Sequence, residues 1–116
     1  MPDQYQLDAV SEANVTAEAR RQEAIREAHE AFGKAYLYEK ARHAAEYERA
    51  SARWDALKSN QDAADYEGAW LAFQRAKEPA NHTQARAELN RAIRAADAGY
   101  HAEVSRVGQE HPELVR

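Results

Sequence analysis

The chain has 116 residues, a net charge of −4 and no cysteine. That is enough for one domain with a modest core, and it leaves no disulfide or thiolate chemistry. Both charge signs are interspersed, which argues against nucleic-acid binding driven by phosphate neutralisation. Composition favours helix: 27 alanines against 4 glycines and 3 prolines, with 31% charged residues. Large aliphatic residues are few, so the core must come from alanine and from 6 tyrosines and 2 tryptophans. Alanine lets helices approach closely but buries little area, so a slender fold of limited stability is expected.

Residues 1–15 are polar with scattered apolar members, Tyr5, Leu7, Val10 and Val15. They read as an N-terminal arm in which Asp8 or Ser11 could open a short helical turn, with Thr16 as the better N-cap for the helix that follows. No apolar run reaches membrane-spanning length, and the start lacks the basic and apolar regions of a signal peptide. The cytoplasm, or a particle assembled there, is the expected location, without classical secretion.

From about 17 to 58 no proline interrupts a strongly helical pattern. Ile25, Phe32, Tyr36, His43, Tyr47 and Trp54 fall within an arc of roughly 60° at 100° per residue. Their spacing is an eleven-residue repeat, which stays in register along an almost straight helix. Leu37 and Tyr38 add apolar surface on either side of this stripe. A helix apolar on several faces is normally covered on several faces.

A second helix is predicted over about 61–77, with Ala63, Tyr66, Ala69, Trp70 and Phe73 on one face and Leu71 pointing away. Pro79 ends it. Asn81 or Thr83 caps a third helix over about 83–107, whose face is Leu89, Ile93, Ala96, Tyr100 and Val107. Gly99 lies inside it, and a close backbone neighbour would be the natural reason for it. Gly108 is a fair helix stop, and 109–116 reads as a polar tail.

The predicted fold is therefore all-α, a single domain over 16–108. One long N-terminal helix packs with two shorter ones in a coiled-coil-like manner. Two arrangements fit: a three-helix antiparallel bundle, or a long helical hairpin kinked at Pro79. The five-residue connection at 78–82 suits a reversal better, whereas helix lengths suit the hairpin.

No constellation points to catalysis. There is no nucleophile elbow and no glycine-rich phosphate loop. The Glu-x-x-His pair of a di-iron bundle is missing, so no metal and no cofactor are expected. His43 is expected to pack on the tyrosine stripe and bond Glu39. Arg91, Arg94 and His101, with Arg20, Arg21 and Arg26, form at most a small basic strip, and nucleic acid is an unlikely partner.

What remains is surplus apolar surface. Tyrosine, tryptophan and arginine are the residue types of interaction hot spots. The candidate interface is Phe32, Tyr36, Leu37, Tyr38 and Tyr47, with Trp54, Trp70 and Phe73 as the core. The expected function is non-enzymatic: a helical structural or interaction subunit that docks to copies of itself or to a larger assembly, such as a virion or phage-type particle. The alternative is a small inhibitor or regulator that binds one protein 1:1. Neither a membrane nor a small-molecule substrate is expected.

Overall fold

A computed structural model describes residues 4–112, and side chains from Asp8 onward. Three helices follow in order: α1 (Gln4–Leu57), α2 (Tyr66–Ala76) and α3 (Thr83–Glu110). Among the described residues there is no strand. The fold is all-α, and the long first helix packs with the two shorter ones.

The helix α1 starts well before Thr16, so residues 4–15 extend the helix and are not a separate arm. The physical reason lies in the sequence: no proline or glycine stands between Gln4 and Phe32, and alanine and glutamate carry the helix across Thr16. The side chains of Tyr5 and Leu7 lie outside the described residues, as do residues 113–116. The helix α3 likewise runs past Gly108 to Glu110. No glycine takes a positive φ, so Gly108 does not act as a left-handed stop.

The helix α2 is shorter than predicted. From Asn60 to Tyr66 the chain makes successive i→i+3 turns, with Ala63 N–H on the Asn60 carbonyl (3.1 Å) and Tyr66 N–H on the Ala63 carbonyl (3.1 Å). Asn60, Asp62 and Asp65 fall here, residues whose side chains compete with the helical backbone pattern. At the start of α3 the Asn81 side chain accepts the Thr83 N–H at 2.9 Å, the capping role expected of it.

The contacts divide the chain into two compact units. The first joins the part of α1 up to Phe32 with α3 from Arg86 onward. Here Ala17, Ala28 and Val107 are the buried residues. Arg21 Nε donates to Asp97 at 2.7 Å and Arg20 to Glu103 at 2.6 Å, the crossed order of an antiparallel pair. The Arg21 guanidinium also lies 5.4 Å from the centre of the Tyr100 ring. The predicted face of α3 is the packed one: Leu89, Ile93, Ala96 and Tyr100 are half-buried and Val107 buried.

The second unit, Gly33–Ala85, pairs the rest of α1 with α2. Its only fully buried residue is Ala69. Each shorter helix thus has α1 as its partner within its own unit. Within this unit the connection 78–82 touches α1 twice, through the Glu78 carbonyl and the His82 ring.

Candidate functional site

The residues singled out for binding lie on α1, and most belong to the second unit. There the stripe meets α2 in antiparallel order. Trp54 packs against Tyr66 (5.2 Å between ring centres) and Phe73 (6.5 Å, nearly parallel), and Tyr47 lies against Phe73 at 5.8 Å. Further along, His43 Nε2–H donates to the Glu78 carbonyl, and Tyr36 stacks on His82 at 4.2 Å. The eleven-residue repeat is thus the seam of the hairpin. Offset aromatic pairs of this kind add about 0.5–1.5 kcal/mol each beyond area burial.

Two expectations fail in this seam. His43 bonds the Glu78 carbonyl, not Glu39, whose carboxylate is held by Arg42 at 2.7 Å. Trp70, placed in the core by its spacing, is 44% exposed. The reason is the close approach at Ala69, which is fully buried. One position further on is about 100° round the helix, so the indole is turned to the flank of the seam.

The five interface candidates separate into three groups. Phe32 is half-buried in the first unit. Tyr36 and Tyr47 serve the seam and still show an edge, at 37% and 40% exposure. Leu37 and Tyr38 stand 65% and 68% exposed. With Trp70 and Leu71 (48%), the second unit therefore presents six of the exposed large hydrophobic residues of the chain. The sequence pattern identified Leu37, Tyr38 and Leu71, but not Trp70.

On one side of the hairpin runs a groove of about 380 Å³, lined by His43, Glu46 and Arg53 of α1 and Ala72, Arg75 and Ala76 of α2. Leu37, Ala41 and Ala44 lie on a different sector of α1, roughly 120° from the seam. A shallow depression there is lined by Ala41, Ala44, Ala45, Tyr47 and Glu48. It is apolar at its floor and open to solvent.

Charges elsewhere are largely matched within the chain. Arg20, Arg21 and Arg26 do not form a free basic strip: they pair with Glu103, with Asp97 and Glu18, and with Glu23 and Glu30. The hydrogen bond from Arg26 holds the Glu23 carboxyl below its ordinary value, while the same pairing raises Arg26. Arg91, Arg94 and His101 are exposed on α3. Among the described residues no group of three or more His, Asp or Glu side chains is placed to hold a metal ion. None of the described helices is long and apolar enough to cross a membrane.

No family model, no curated protein and no solved structure matches this chain. Any functional reading rests on its own residues.

Proposed function

We propose that the protein is a non-enzymatic helical subunit that acts by docking, through the exposed apolar face of its second unit, onto another protein chain. The observation that carries this reading is the pairing of a thin core with a rich surface. Leu37 and Tyr38 are about two-thirds exposed, whereas the only fully buried residue of that unit is an alanine. Large apolar side chains left outside while small ones fill the inside mark a surface whose burial is completed by a partner. Covering what remains exposed of Leu37 would contribute about 1–2 kcal/mol.

The test is the mass of the protein in its native extract, compared with Leu37→Glu combined with Tyr38→Glu. The wild type should elute well above its 13.1 kDa. The double variant should keep its helicity and lose that mass. A wild type running as a monomer in both extract and purified form would refute the reading.

A further inference from the structure

We infer that the partner of this face is a second copy of the chain: two second units pack antiparallel about a twofold axis passing close to Ala44, making a four-helix bundle from two hairpins. The inference rests on the docking reading above and names its occupant. An isolated two-helix hairpin has one seam and cannot enclose large side chains, which is why such hairpins are commonly completed by two more helices.

Two features of this face favour a copy. The first is that the open side of the hairpin presents large apolar side chains from both of its helices, set among charged ones. On α1 it carries Leu37, Ala44 and the showing edge of Tyr47. On α2, Trp70 lies roughly opposite Ala72, Arg75 and Ala76, which line the groove on the other side, and so on the same open side. Alanines at 41 and 44 let a second helix come near, while Leu37 and Trp70 supply the bulk.

The second is charge. Between Gly33 and Leu57 the charged residues of this sector of α1 are Lys34, Lys40, Glu48 and Asp55. Both cations precede Ala44 and both acids follow it. Laid antiparallel on itself, the face sets the lysines of one copy over the acids of the other. Laid parallel, it sets like over like. Among the described residues Lys34, Lys40 and Glu48 have no ion-pair partner within the chain, and Asp55 holds Lys58 at 3.0 Å while staying well exposed. Exposed complementary charges of this sort fix orientation and partner choice more than they add affinity. A twofold interface must be self-complementary, and this pattern is.

The strip is about 37 Å long on α1, with a shorter flank from α2. It offers of the order of 500 Å² a side, at the lower end for specific interfaces. Self-association in the micromolar range is expected.

The experiment uses the full chain, which has no cysteine of its own. Sedimentation equilibrium should show a monomer–dimer equilibrium. Lys34→Glu with Lys40→Glu makes the sector wholly acidic, and Glu48→Lys with Asp55→Lys makes it wholly basic. Each double variant should self-associate at least tenfold more weakly with unchanged circular dichroism, and a 1:1 mixture of the two should recover the dimer. Under mild oxidation Ala44→Cys should cross-link to itself, because it lies at the axis. Ala52→Cys should not, because its copy lies far along the bundle. Equal cross-linking at both positions, or a mixture that fails to associate, would overturn the antiparallel copy. A purified chain that stays monomeric yet enters a complex in extract would overturn this inference and leave the docking reading standing.

Discussion

Gly99 shows how a single residue bears on stability. It sits within α3, and a methyl group built on it would meet nothing within 4 Å. The expected close backbone neighbour is absent, and the glycine brings only its entropic cost. Gly99→Ala should therefore stabilise the protein by about 0.5–1 kcal/mol, read as a rise in the thermal midpoint. A fall would mean that the position is needed for something the helix itself does not require. Glu23 gives the second residue-scale prediction. Its folded value is held below the ordinary 4.5, chiefly by the Arg26 hydrogen bond. A depressed acid contributes stability above its unfolded value and loses it as pH falls through the folded value. The advantage of wild type over Glu23→Gln should thus be present at pH 7, shrink on acidification below about pH 4, and weaken in high salt because the pair is exposed. An advantage that grows with acid would contradict the assignment.

At the scale of elements, the seam between α1 and α2 divides the aromatic residues by role. Trp54 is half-buried against Tyr66 and Phe73, whereas Trp70 is nearly half exposed beside the seam. Trp54→Ala should cost about 2 kcal/mol in denaturant unfolding, less than the 3–5 kcal/mol typical of a fully buried aromatic. Trp70→Ala should cost under about 1 kcal/mol in the dilute monomer and show its effect in association instead. Equal costs at the two positions would put Trp70 in the core after all. Much of this was legible in the sequence, because periodicity reports which side chains share a face. The stripe from Ile25 to Trp54 and the α3 face from Leu89 to Val107 are the packed ones. Periodicity does not report where along a long helix a partner lands. That depended on Glu78 and His82 holding the connection to α1. Nor does it report how closely two helices approach, and the burial of Ala69 is what displaced Trp70. Nor do capping residues mark a helix end where an unbroken run of good helix formers continues past them, as at Thr16 and Gly108.

The whole molecule combines three helices with a sparse interior. Its buried apolar residues among those described are Ala17, Ala28, Ala69 and Val107, and no large side chain is fully enclosed. Such a core supplies little of the burial that normally offsets the chain's conformational entropy. The surface of the second unit meanwhile carries the bulk that its interior lacks. The proposed docking would account for both, because a covered face adds the missing burial. Stability that comes from association depends on concentration, since a partner that binds only the folded state shifts the unfolding equilibrium by mass action. The most direct measurement is the thermal unfolding midpoint of the purified chain, followed by circular dichroism from micromolar to millimolar concentration. The account predicts a low midpoint in dilute solution that climbs steadily with concentration, and a flat, low midpoint for Leu37→Glu combined with Trp70→Glu. A high midpoint for the wild type that does not change with concentration would contradict it.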